Sequence, residues 1–305
     1  MKRAVSISIG SSKRDKKVEI ELFGEKILLE RIGTDGDMQK AARMFVELDG
    51  KVDALGVGGS VLGFMVDNRW HPLHSALPLV RGVCQTPVVD GTGLKLTVER
   101  KVAKVIEEKL GGYVNPKRAF VVMAIDRLGT TQAFLDGGYE CIFGDLMFSL
   151  GVPIPVRSEA AIKLLGKLLI PIVGRLPFEW VYPIGETQEI RKPKWEKYFN
   201  WATVVSGDCH YIWRYMPERM DGKVIVTNTT TPEDVAFFRQ AGVKYLITTT
   251  PVLDGRTFGT NMMEAAIVAA WGRKEPVDYS NPGSYFEEIE AAIHQLGLTP
   301  QVQEL

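Results

Sequence analysis

The chain has 305 residues, 45% hydrophobic and 24% charged, with 37 basic side chains balanced by 37 acidic ones. That length favours two domains over one large core, and the composition is too apolar for a disordered chain. A formal net charge of zero leaves no electrostatic footprint for nucleic acid or an anionic membrane surface, so a small-molecule partner is expected.

The N-terminus, MKRAVSISIGSSKRD, has too short an apolar run for a secretory signal. Residues 4–10 and 18–31 alternate apolar and polar side chains around a charged turn and a central FGEK turn, which predicts strands and a hairpin. Gly36 and Asp37 start a helix with apolar residues at helical spacing from Met38 to Leu48, and Asp49-Gly50 ends it. VDALGVGG at 52–59 is a short apolar run ending in glycines, the pattern of a buried parallel strand that brings backbone to a site. Asp67-Asn68 reads as a turn and Ser75 to Val83 as a short helix, ahead of PVVDG at 87–91. Residues 93–110 place Leu94, Val98, Val102, Val105, Ile106 and Leu110 on one face, which predicts a long connector helix.

From 117 onward, the apolar strand runs AFVVMAID, YECIFGD, TVVSGD, KVIVTN and YLITTT alternate with helical segments. In TPEDVAFFRQAG, Thr231 caps a helix, Pro232 opens it and Gly242 closes it. The stretch at 160–174 is interrupted by Lys163, Lys167 and Pro171, which suits an amphipathic helix and not a membrane span. The expected fold class is α/β, a Rossmann-like doubly wound parallel sheet domain plus a smaller N-terminal α/β domain. The expected organisation is a substrate domain at 1–92, the connector at 93–116, a nucleotide-binding domain at 117–272 and a helical tail at 273–305. Cys84, Cys141 and Cys209 are odd in number and lack metal-ligand spacing, which predicts reduced thiols, a cytoplasmic location and no metal.

Several positions offer chemistry. Asp126, Arg127, Gly129, Thr130 and Thr131 lie at a strand-to-helix turn, where amides and a helix N-terminus favour an anion. Asp145 ends the next strand about 20 residues later, where a dinucleotide fingerprint expects an acid for ribose hydroxyls. The bland alternative is a cap and a surface acid. Gly58, Gly59 and Ser60 are either turn residues or backbone donors to a substrate carboxylate. Asp90 is either a helix cap or a catalytic acid. Asp208 and His210 follow a buried strand whose C-terminal end should line a ligand crevice, and Thr229 ends another.

The order of these parts resembles the shikimate and quinate dehydrogenase family. In that family a long helix joins the substrate domain to the dinucleotide-binding domain and starts just after an Asp-Gly pair; PVVDGTGLKLTVERK stands in that place here. FGTNMMEAAIVAAWG at 258–272 is similar to the family's Met-rich helix start, where Asn261 and Glu264 stand for its polar substrate contact. The resemblance implies an oxidoreductase using NAD or NADP on a polyhydroxylated carboxylate such as quinate or shikimate. Asp90 would be its acid or base, and Lys95 or His210 the second proton-transfer group. Two positions depart from the family: no lysine follows VDALGVGG, and AIDRLGTTQAF replaces the glycine-rich cofactor turn. Those departures leave two other readings open, an enzyme binding S-adenosylmethionine or another adenosine-containing ligand, and a metabolite sensor. No nucleic-acid or membrane partner is expected, and a homodimer is left open.

Overall fold

The computed structural model describes residues 1–66, 69–176, 190–253 and 256–305. The turn expected at Asp67-Asn68 lies outside the described residues. Two compact units make up the chain: residues 1–94, 168–187 and 259–297 form the first, and 95–167, 188–258 and 298–305 the second.

The first unit opens with β1 (Lys2–Ser8), the antiparallel pair β2 (Lys16–Leu22) and β3 (Glu25–Gly33), helix α1 (Met38–Leu48) and β4 (Ala54–Gly58). A separate hairpin, β5 (Gly63–Val66) with β6 (Arg69–Pro72), precedes the short β7 (Val88–Val89). The sheet order is β2-β3-β1-β4-β7, with β1 parallel to β3 and β4, and β4 parallel to β7. Of the helix expected within Ser75–Val83, a single 3-10 turn forms, over Leu77–Leu79. Val5, Ile7, Leu55 and Val57 meet Ala41 and Phe45 of α1 in one core.

The expected connector is helical in three pieces: α2 (Thr92–Thr97), a 3-10 turn over Glu99–Lys101, and α3 (Val102–Leu110). Val98 and Val102 keep right-handed helical dihedrals, so the break is one tightened turn and not a bend away from the helix.

The second unit continues with β8 (Arg118–Val121), α4 (Leu128–Asp136), β9 (Glu140–Phe143), α5 (Asp145–Ser149), α6 (Glu159–Val173, whose residues from 168 on count with the first unit) and α7 (Glu196–Trp201). After these come β10 (Val204–Ser206), α8 (Cys209–Tyr215), β11 (Val224–Thr227), α9 (Pro232–Gln240), β12 (Tyr245–Thr248) and the small pair β13 (Val252–Leu253) with β14 (Arg256–Thr257). Helices α10 (Thr260–Trp271) and α11 (Tyr285–Gln295) return to the first unit, and β15 (Gln301–Glu304) closes the second sheet as an antiparallel edge.

That sheet has the order β15-β12-β11-β10-β8-β9, with all strands parallel but β15. Alternate residues of each strand enter opposite cores. Ala119, Val121 and Val204 meet Val102, Ile106 and Phe134 from α3 and α4, whereas Phe120, Val205 and Ile225 meet Phe199, Ile212 and Phe238 from α7, α8 and α9. Helices therefore cover both faces of a doubly wound sheet, as the strand and helix alternation predicts. β8 lies between β9 and β10, so the winding direction reverses between β8 and β10. Among the described residues, no helix is long and apolar enough to cross a membrane.

The sequence pattern assigns residues 117–272 to one domain, yet α10 belongs to the first unit. Met262, Met263, Ala265, Ala266, Ile267 and Val268 are all buried there, and α10 packs against β1 and β4. A helix apolar on every side has no stripe to say which sheet it covers.

Candidate functional site

In open α/β sheets, ligands lie outside the C-terminal ends of the strands, where the winding reverses. In the second unit that place is formed by the turn after β8 and by Gly207-Asp208 after β10. It holds an ionic network. Lys95 Nζ lies 2.8 Å from Asp126 Oδ1. Arg127 reaches three carboxylates: Glu99 Oε1 at 2.6 Å, Asp126 Oδ2 at 3.2 Å and Asp208 Oδ2 at 3.6 Å. Thr130 Oγ1 donates to the other Glu99 oxygen at 3.1 Å.

Lys95 and Glu99 stand four residues apart on the helical connector, so both face α4; that spacing is the signal by which Glu99 could have been anticipated. Burial alone would raise the Asp126 carboxyl, but Lys95 and Arg127 beside it, and the hydrogen bond from Lys95, hold it below the usual carboxylate range. Burial opposes the charge on Arg127, but Glu99, Asp126 and Asp208 outweigh it and push the guanidinium further up. The buried pair Arg127–Glu99 forms the floor, with side-chain exposures of 6% and 1%, while Lys95, Asp126 and Asp208 keep 12%, 22% and 33% and form the polar rim. Asp208 also caps α8 by accepting from the His210 amide at 3.0 Å, which places His210 on the first turn of that helix. Thr229 follows β11 at the same edge of the sheet and is partly buried.

The turn after β8 is where a dinucleotide pyrophosphate would sit. Two of its amides are already used. Asp145 accepts from Ala124 N through Oδ2 and from Ile125 N through Oδ1, both at 3.0 Å. Burial pushes the Asp145 carboxyl up to about 6, against the pull of those amides. A ribose would meet a carboxylate whose two oxygens are both engaged. Gly129 serves packing: a Cβ there would stand 1.9 Å from the Lys95 carbonyl oxygen. Thr131 Oγ1 donates to Ala124 O at 3.1 Å. The residues at this turn do not fit the pyrophosphate of NAD or NADP in its usual position.

The first unit holds a second polar cluster, buried at Asp90, Glu264, Tyr279 and Tyr285. Asp90 follows β7 and accepts from Leu62 N at 2.7 Å and Thr92 N at 3.0 Å, so it ties the turn after β4 to the start of α2. Its own amide donates to Tyr279 OH at 3.1 Å. Tyr279 OH donates in turn to Glu264 Oε1 at 3.1 Å, Tyr285 OH donates to the same oxygen at 2.5 Å, and Gly93 N donates to Oε2 at 3.0 Å. Burial and the nearby charge of Asp90 push the Glu264 carboxyl up to about 7, against the two tyrosine hydrogen bonds. Asn261 Nδ2 donates to Ser6 Oγ at 2.6 Å, and Ser60 Oγ donates to Val61 O. Gly58 ends β4, and Gly59 follows with φ 75°.

Of the residues singled out from sequence, the structure joins Asp90 to Glu264 through Tyr279 in the first unit, and Lys95 to Asp126, Arg127 and Asp208 in the second. Asp90 and Lys95 belong to different units. Tyr279 and Tyr285 have no sequence signal of their own; the signal was Glu264, a lone charge inside the apolar run NMMEAAIVAAW.

A family model described as "Domain of unknown function (DUF8754)" matches residues 93–305, and one described as "Domain of unknown function (DUF8753)" matches residues 3–90. No curated protein matches the chain. Among solved structures it is similar to the "Crystal structure of Entamoeba histolytica Malic Enzyme", at a TM-score of 0.32 and 8% identity, over 88% of this chain and 62% of that one. The chain thus spans less than two thirds of that protein, and a likeness at this TM-score bears on neither fold nor activity.

Proposed function

We propose that this chain, which belongs to the DUF8754 family, is an enzyme that transfers a proton on a small polyhydroxylated carboxylate of the quinate and shikimate class. The observation that carries this reading is the Lys95–Asp126 pair, 2.8 Å apart at the edge where the second sheet reverses its winding. Asp126 stays ionised at neutral pH because Lys95 and Arg127 overcome the effect of its burial. It accepts hydrogen bonds and fixes the direction of Lys95. An ammonium has three N–H donors; one is bound to Asp126, which leaves the others to meet a carbonyl or carboxylate oxygen of the substrate. Asp208, the most exposed acid of the rim, accepts from substrate hydroxyls. Two rim carboxylates that accept from hydroxyls and one lysine that donates to a carboxylate thus suit a ligand carrying both groups. Arg127, buried on the floor, positions both carboxylates.

The resemblance to shikimate and quinate dehydrogenases implies that NAD or NADP would supply the redox step. Because the turn after β8 does not fit the pyrophosphate, no hydride step is assigned; Lys95 lends a proton to a substrate oxygen as that oxygen gains negative charge and takes it back when the charge is lost, so the lysine ends as it began. Calorimetric titration with quinate and with shikimate, alone and with NADH or NADPH present, tests the reading on wild type, Lys95→Met and Asp126→Asn. Binding to the wild type that weakens by about tenfold or more in both variants supports it. No heat from either acid at millimolar concentration, with or without nucleotide, overturns it.

A further inference from the structure

We infer that Asp145 is an internal counter-anion that closes the turn after β8 to phosphate groups, so that the second unit selects unphosphorylated ligands. The statement rests on the proposed function only for the place where the substrate lies.

The geometry has three parts. First, the carboxylate straddles two consecutive amides, one oxygen to each at 3.0 Å, as two oxygens of a phosphate would. A phosphate brought to the same turn would find both donors taken and would meet a like charge at contact distance.

Second, Asp145 has little room to leave. It is 3% exposed, and its backbone starts α5 directly after Gly144, where a Cβ would stand 2.7 Å from the Phe148 ring and from the Val122 carbonyl oxygen. The Gly144 amide is bonded to Val121 O at 2.9 Å, which ties this backbone to β8.

Third, the helix N-terminus beyond the turn has been put to other use. Arg127 stands at the N-cap with no side-chain cap bond, its guanidinium held by Glu99 below, and the Thr130 and Thr131 hydroxyls are directed to Glu99 and Ala124 O. The side chains of Arg127, Thr130 and Thr131 are thus engaged by the protein itself, and Asp145 supplies an anion to the two amides of the turn.

The test compares wild type, Asp145→Ser and Asp145→Ala with inorganic pyrophosphate and NADH as probes, read as ligand-dependent shifts of melting temperature. Both variants free the two amides. The expected result is no shift with either probe in the wild type and a pyrophosphate-dependent shift in the variants. A wild-type shift that is lost on substitution would mean that Asp145 contacts the nucleotide, and overturns the inference. Folded variants that gain no shift also overturn it. If neither variant folds, the wild type decides: a shift with pyrophosphate or NADH refutes the closure, and none upholds it. Quinate titration is a separate measurement, so loss of quinate binding with a positive pyrophosphate result removes the proposed function and leaves the closed turn standing.

Discussion

Replacing Glu264 with glutamine should change how the stability of the protein depends on pH. Glu264 is fully buried, and its carboxyl rises from 4.5 to about 7, chiefly through burial and secondly through the charge of Asp90. The folded state therefore holds a proton between those values that the unfolded chain has released. This contribution to stability is complete below the unfolded value, fades as pH rises through the window and is gone above the folded value. The interval corresponds to about 3 kcal/mol. Glutamine keeps the shape and carries no charge. Its carbonyl can accept from Gly93 N, and its amide can face the oxygens of Tyr279 and Tyr285, whose hydroxyls rotate to accept. Imperfect geometry should cost about 1 kcal/mol. Glu264→Gln should thus be more stable than wild type by about 2 kcal/mol above pH 8 and should lack that part of the decline. Asp145, also raised, declines in both proteins, so the difference between the curves isolates Glu264. Denaturant unfolding followed by tryptophan fluorescence measures it, because Trp70 lies 6.4 Å from Tyr279 between ring centroids. Parallel stability curves for the two proteins would refute the reasoning.

Other consequences are simpler to measure. Glu99→Ala leaves Arg127 buried without its nearest partner and should cost about 3–5 kcal/mol in denaturant unfolding; a cost near zero would mean that Arg127 finds water. Gly129→Ala must force α4 away from the Lys95 carbonyl and should lower stability by about 1–3 kcal/mol or more, with an unchanged melting temperature as the contrary result. Thr231→Ala removes one side of the capping box of α9, worth about 1 kcal/mol by the same assay. Thiol titration of the folded protein should label Cys84 first, since it is exposed, whereas Cys141 is buried and its thiol is pushed up to about 12. Fast labelling of all three would contradict this packing.

The strands of the second sheet are legible in the sequence because a strand covered on both faces carries an unbroken apolar run, as Ala119–Val121 and Val224–Val226 do. Thr231, Pro232 and Asp234 likewise announce a helix start by local hydrogen bonding alone. Long-range assignments are harder to read. Asp145 looks like a ribose acid by its spacing, yet its oxygens turn back onto the Ala124 and Ile125 amides. Lys95 looks like a partner for Asp90 five residues earlier, yet its side chain pairs with Asp126, 31 residues later in the chain. Glu264 is readable as an anomaly, but not the tyrosines that bind it, because hydroxyl partners 15 and 21 residues away follow from the path of the chain and not from periodicity.

The most direct test of the account is a crystal structure of the protein soaked with quinate. The expected result is the molecule at the reversal point of the second sheet, within hydrogen-bond distance of Lys95 Nζ and of the Asp126 or Asp208 carboxylate. Quinate bound instead at the buried Asp90 and Glu264 cluster, or absent from the Lys95 site at saturating concentration, would contradict it.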